Sequence, residues 1–288
     1  MNERLGIRKT YKMYVGGAFP RSESGRSYQV TAADGAFLAN VSQASRKDVR
    51  DAVVAARKAF GGWAGRTAYN RAQILYRVAE MFEGRQTQFI PEVAEAEGVS
   101  RPAATKAVTT AIDRWVWYAG WADKINQIVG SSNPVAGPYF NFSMSEPTGV
   151  VGVLAPQRSS LLGLVSVVAP AIVSGNTVVV VASEQRPLPA ITLAEVLATS
   201  DVPGGVINLL TGYTAELAPV LAAHMDVNAI DLTGVPPDDR VALQEVAADN
   251  VKRVLPAPDD EPDWMAEPGT ERLTAPLEIK TVWHPVGI

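Results

Sequence analysis

Residues 149–182 read GVVGVLAPQRSSLLGLVSVVAPAIVSGNTVVVVA. Two β-branched runs, GVVGVLAP (Gly149 to Pro156) and TVVVVA (Thr177 to Ala182), flank an apolar segment of helix length. Runs that are apolar throughout, rather than alternating, are strands covered on both faces, as in a parallel sheet whose crossovers are helices. The pattern then repeats: VINLLTG (Val206 to Gly212), AIDLTG (Ala229 to Gly234) and VKRVL (Val251 to Leu255) follow at helix-length intervals. A chain of such βαβ units predicts an α/β fold with an open, doubly wound parallel sheet. The apolar stretch from Leu161 to Ala182 also has the length of a membrane span, about 20 residues. Pro170 and the turn at Ser174, Gly175 and Asn176 divide it into a buried helix and a strand, so no span is expected.

Outward from this core, Ser45 to Ile128 is helical in pattern. Val49, Ala52, Val53, Ala56 and Phe60 recur at helix spacing, and so do Leu75, Val78, Ala79 and Phe82. Gly61 and Gly62 are expected to end the first helix, and Glu97, Gly98 and Pro102 mark a second break. The aromatic run WVWYAGW, Trp115 to Trp121, could stack a ligand, but its helical spacing favours core or a subunit interface. Residues 123–146 turn polar and Gly/Pro-rich, with an extended, exposed hairpin strand expected at Tyr139 to Ser143. After Leu255 the run PAPDDEPDWMAEPGT has no periodicity and reads as a linker, before strand character returns in PLEIKTVWHPVGI. The predicted division is therefore N-terminal strands and helices over 1–122, an oligomerisation hairpin over 123–147, and the parallel-sheet domain over 148–258. An acidic linker over 259–275 and a terminal strand over 276–288 complete it.

Composition narrows the function classes. With 26 basic against 30 acidic residues among 288, and a formal charge of -4, no electropositive excess exists for a nucleic-acid backbone. The sequence contains no cysteine, which excludes disulfides and thiolate ligands, and only His224 and His284 could offer imidazole, so no transition-metal site is expected. The start, MNERLGIRKTYKMYVGG, lacks the apolar run and small-residue cleavage site of a secretory signal, so a cytoplasmic protein is expected.

Several runs occur together in one order: YVGGAF, DVRDAVVAARKAF, RAQILYRVAEMF, YAGWADKI, EPTGVVGVLAP, APAIVSGNTVV, SEQRPLPAITLAE, PGGVINLLTG and AIDLTG. In this combination the chain resembles the aldehyde dehydrogenase superfamily from Tyr14 to about Val254, and EIKTVW (Glu278 to Trp283) resembles its C-terminal arm. The resemblance implies a Rossmann-like sheet that binds a nicotinamide dinucleotide, a separate domain carrying a catalytic cysteine, and a hairpin with terminal strand that pairs subunits. Only the short acidic segment lies between the fifth strand and the arm, so the catalytic domain is expected to be missing.

The matching site positions have changed. Where the family has Pro-Trp-Asn-Phe-Pro, whose asparagine donates to the developing oxyanion, this chain has Pro156, Gln157, Arg158, Ser159 and Ser160. The family's general-base glutamate falls at Ala257, with Asp259, Asp260 and Glu261 following in the linker. Its ribose-contacting lysine falls at Val181, although Glu184 matches the neighbouring ribose-binding acid. The phosphate-binding turn becomes Gly234, Val235, Pro236, Pro237, Asp238, Asp239, where prolines lack N–H donors and carboxylates repel phosphate. The glycine beside adenine corresponds to Thr214. A serine nucleophile at Ser159 or Ser160 has no histidine near it in sequence, and His224 matches a structural histidine of relatives.

These substitutions predict no catalytic residue, no metal and no required cofactor, with weak NAD or NADP binding through Glu184 as the alternative. The expected role is an inactive homologue serving as a structural or regulatory subunit of a full-length aldehyde dehydrogenase. Self-association through the C-terminal arm is the other partnership in view, and an NAD(P)-binding component of a dehydrogenase site shared between subunits is the competing function. A truncated remnant without a selected role is a third reading, against which the regular strand spacing argues. Neither nucleic acid nor membrane is expected as a partner.

Overall fold

The computed structural model describes residues 9–287; the first part of the N-terminal stretch tested for a targeting signal, residues 1–8, lies outside the described residues. A β-hairpin, β1 (Ser27–Thr31) and β2 (Phe37–Ser42), precedes the helices α1 (Arg46–Ala64), α2 (Ala68–Glu83), α3 (Gln86–Glu97), α4 (Arg101–Ala119) and α5 (Ile125–Val129). Next come β3 (Ser131–Asn133), β4 (Tyr139–Pro147), β5 (Val150–Leu154), α6 (Leu162–Val173), β6 (Thr177–Val181), α7 (Leu188–Leu197) and β7 (Ile207–Leu210). The remainder is α8 (Thr214–Ala223), β8 (Ala229–Asp231), α9 (Arg240–Ala248), β9 (Arg253–Leu255), α10 (Glu271–Thr274) and β10 (Leu277–Pro285).

β5 to β9 form a parallel sheet in the order β7-β6-β5-β8-β9, the doubly wound arrangement expected. Alternate residues of each strand feed opposite cores. Val150, Leu154, Val179 and Val181 join Val49, Val53, Leu217 and Leu221 of α1 and α8 on one face. Val151, Val153, Val178 and Val180 join Leu164, Val168, Ile172, Ile191 and the α2 to α4 residues on the other. Each wall of the sheet is therefore dry, which is why its strands carry no polar alternation.

Three sequence expectations are modified. Gly61 and Gly62 lie inside α1, which continues to Ala64 before Gly65 caps it. Its packed face, Val49 to Trp63, outweighs the roughly 1 kcal/mol each glycine costs in a helix interior. The second break holds: Gly98 adopts φ 67° at the end of α3, and the Ser100 hydroxyl accepts from the Ala103 N–H to start α4. The fifth strand is shorter than VKRVL, because Val251 turns at φ 57° ahead of Arg253. In the aromatic run Trp115 and Tyr118 are buried core, while Trp117 and Trp121 pack against it from the half-exposed side.

The third modification concerns the segment expected to be a linker. Trp264 and Leu273 are buried in the main core, and α10 lies against α6, so 256–275 is a strap bound to the body. Periodicity could not reveal it, because the strap is held by isolated anchors. The expected C-terminal strand lies antiparallel to β4 with Leu277 opposite Pro147 and Pro285 opposite Tyr139. With β3 it forms a three-stranded arm in the order β10-β4-β3. Asn176, expected simply to turn the chain, is fully buried and fastens this arm: its side chain accepts from the Gly149 N–H at 2.9 Å and donates to the Pro276 carbonyl at 2.9 Å.

Candidate functional site

In an open parallel sheet, ligands bind outside the carboxyl ends of the strands where the order reverses. Here β5 leads to β6 and β7 on one side, and the chain then returns to β8 and β9 on the other, so the reversal lies between β5 and β8. The Gly234 N–H donates to the Leu154 carbonyl at 2.9 Å, and a Cβ on Gly234 would stand 1.8 Å from the Ala155 oxygen. Only glycine lets the two loops close this tightly.

The strap runs across that crevice. The Glu261 carboxylate, 12% exposed, accepts from the backbone N–H groups of Arg158 at 2.9 Å and Ser159 at 2.8 Å, and from the Trp264 indole at 3.1 Å. Arg158 Nε adds an ion-pair contact at 3.7 Å. Arg272 donates to Asp231, whose carboxylate is 4% exposed at the end of β8, and to the Thr233 hydroxyl at 2.8 Å. Arg114 holds the strap from below through the Trp264 carbonyl at 2.7 Å, and Arg240 holds its entry through the Pro258 carbonyl at 2.7 Å. A tethered anion and a tethered cation thus stand on either side of the reversal point.

The loop after β5 is equally engaged. Gln157 donates to the Ala155 carbonyl at 2.8 Å and accepts from the Glu184 N–H at 2.9 Å. Ser160 donates both its N–H and its hydroxyl to Glu97, each at 2.7 Å. Burial pushes the Glu97 carboxyl up, against the lowering effect of the Ser160 hydrogen bonds. The Ser159 hydroxyl accepts from the Gly163 N–H at 3.0 Å and thereby caps the first turn of α6. Of the two histidines, His224 accepts from the Asp226 N–H at 3.1 Å, with burial lowering its pKa, and His284 lies on β10. Neither serine has an imidazole beside it. Ala257, at the family's general-base position, is half-buried against the second core, and Asp259 is fully exposed.

At the nucleotide end, Glu184 is engaged as well: its carboxylate accepts from the Thr214 N–H at 3.0 Å at the start of α8, and its carbonyl accepts from the Tyr28 hydroxyl at 3.0 Å. Val181 is buried at the end of β6. A slot of about 100 Å³ lies between α8 and α9, lined by Thr214, Ala218, Val235, Asp239 and Leu243. The Thr214 hydroxyl is buried there without a hydrogen-bond partner. Beyond the slot, Pro237–Asp239 form a 3₁₀ turn. The Val235 and Asp239 N–H groups donate to the Leu232 and Pro236 carbonyls, at 3.0 and 3.1 Å, while Pro236 and Pro237 have none. Donors for a pyrophosphate are therefore tied up or missing, and Asp238 and Asp239 bring negative charge to the place it would occupy. These residues do not fit a bound dinucleotide.

Sequence patterning leaves Arg272 and Asp231 without a role, places Glu261 only among the linker acids and gives Glu97 only a part in a helix break. One signal was present: a carboxylate within the apolar run AIDLTG must find a partner when buried. Among the described residues no cluster of three or more His, Asp or Glu side chains could hold a metal ion, and no helix is long and apolar enough to cross a membrane.

Comparison with known proteins agrees with the fold. The family model described as "Aldehyde dehydrogenase family" matches residues 19–256. An aldehyde dehydrogenase of Davidiella tassiana is 32% identical over 244 residues, which is 84% of this chain and 49% of that protein. The cytosolic 10-formyltetrahydrofolate dehydrogenase of Mus musculus is 32% identical over 260 residues, 88% of this chain and 28% of that protein. Among solved structures, the NAD+ complex of aldehyde dehydrogenase from Bacillus cereus superposes with a TM-score of 0.81 at 27% identity, covering 85% of this chain and 50% of that one. The NAD-dependent aldehyde dehydrogenase from Sinorhizobium meliloti gives 0.78 at 30% identity, again covering 50% of the other chain. The chain thus spans about half the length, or less, of the curated relatives it matches, with its parallel sheet and helices superposing on theirs. It belongs to the aldehyde dehydrogenase family.

Proposed function

We propose that this chain is a catalytically silent aldehyde dehydrogenase homologue that acts as a structural or regulatory subunit of a full-length aldehyde dehydrogenase. The observation that carries this reading is the strap: between β9 and β10, where the resemblance places a cysteine-bearing domain, the chain has about twenty residues whose Glu261 and Arg272 bond to the loops on either side of the crevice. The sequence supplies no cysteine to attack an aldehyde. The three-stranded arm is retained, and its β10 edge is available for strand addition to another sheet.

The competing reading is a nucleotide-binding component of a site shared between subunits, and it is favoured by Glu184 and the slot beside Thr214. Co-expression of the tagged chain with a full-length aldehyde dehydrogenase from the same source distinguishes them. A stable complex whose turnover is unaffected by Glu184→Ala supports the first reading. A complex whose NAD affinity falls with that substitution supports the second. Failure of the two chains to co-purify at micromolar concentration contradicts both.

A further inference from the structure

The arm leaves one long edge open. Val286 donates to the Pro138 carbonyl at 2.9 Å, and the Pro276 carbonyl accepts from Thr148 at 3.3 Å, so the even-numbered residues of β10 direct their N–H and C=O groups toward β4. In an antiparallel ladder the alternate residues point the other way. Ile279, Thr281 and Trp283 therefore present backbone donors and acceptors outward, from a strand exposed along this whole stretch. Both faces of the arm also carry exposed apolar side chains. Phe140, Met144 and Val282 are exposed on one, and Ile279 at 52% and Trp283 at 59% on the other. A sheet with exposed apolar side chains on both faces and an edge unpaired among the described residues is an association surface.

The edge is complementary to itself, and we infer that its occupant in the isolated protein is β10 of a second copy, paired antiparallel about Thr281. A twofold axis perpendicular to the sheet keeps each face continuous, so the register must centre on a residue. Centred on Thr281, the outward groups of Thr281 meet those of its mate, and Ile279 meets Trp283 of the second copy on both sides of the axis. Each such pair exchanges two backbone hydrogen bonds. The most exposed apolar side chains of β10 then cover one another. On the opposite face Glu278 lies across from His284 of the second copy, and Lys280, bonded at 2.9 Å to Glu278 within its own strand, lies across from Val282. No like charges face each other. Centring one residue earlier would set Glu278 against Val282 and Ile279 against Thr281, and would lose both the apolar and the acid–base matches.

This inference holds whether or not a full-length dehydrogenase is a partner; such a partner would have to displace the second copy from the same edge. Because the chain is free of cysteine, single introduced cysteines report the register directly. Directly paired positions bring Cα atoms to about 5.5 Å, within disulfide range. In the same register two Ile279 positions stand four residues apart along the ladder, about 14 Å. Oxidised Thr281→Cys should give a covalent dimer at tens of micromolar and Ile279→Cys should not. Thr281→Pro, which removes an outward N–H and none bonded to β4, should convert the dimer to a 30.7 kDa monomer in light scattering with unchanged circular dichroism. A native chain that is monomeric at that concentration, equal cross-linking at both positions, or a persistent dimer in Thr281→Pro overturns the inference.

Discussion

Glu261 holds the Ser159 backbone N–H at 2.8 Å across 102 residues of chain, and its second oxygen takes the neighbouring Arg158 N–H at 2.9 Å. A carboxylate is thereby placed against two amides of the loop between β5 and α6. The strap behaves as a tethered ligand of its own crevice. Replacing Glu261 with Ala leaves two amides and the Trp264 indole without their acceptor, a loss on the order of 2 kcal/mol. Urea denaturation should register that loss, and hydrogen exchange should rise over residues 256–275 while the parallel sheet stays protected.

The second anchor predicts an asymmetry. Asp231 is 4% exposed, and Arg272 is its only ionic partner among the described residues, with the Thr233 N–H donating at 2.9 Å. Removing the guanidinium by Arg272→Met strands a buried carboxylate and should cost about 3 kcal/mol. The double replacement Asp231→Ala, Arg272→Met removes both charges and should recover most of that loss. A thermodynamic cycle measured by denaturation checks this, and additive single effects would speak against a buried pair.

Glu97 predicts a pH dependence of definite sign. Burial raises its carboxyl pKa in the folded protein above the ordinary 4.5, so between the two values the native chain retains a proton that the unfolded chain has released. Stability from this group is full below the unfolded value and declines as pH rises through the raised one. Glu97→Gln keeps an acceptor for Ser160 without titrating. The stability of the variant relative to the native chain should therefore increase as pH rises through that window, followed by thermal melts from pH 4 to 8. A difference that does not change with pH contradicts the assignment.

What was legible in the sequence follows from periodicity. The unbroken apolar runs at Val150 to Leu154 and Thr177 to Val181 read as doubly covered strands because turn residues bound them, and α1 announced itself through Val49, Ala52, Val53 and Ala56. The altered phosphate turn was also readable, since Pro236 and Pro237 lack donors in any conformation. The strap was not, because Glu261, Trp264 and Arg272 are fixed by partners about 40 to 150 residues away rather than by a local repeat. Nor was the role of Glu184 in capping α8, which depends on a loop contact to Thr214.

The most direct test of this account is a calorimetric titration of the isolated chain with NAD. A crevice spanned by the strap through Glu261 and Arg272, beside a phosphate turn of two prolines and two aspartates, predicts no saturable heat at millimolar NAD. Saturable binding with a micromolar Kd would contradict it.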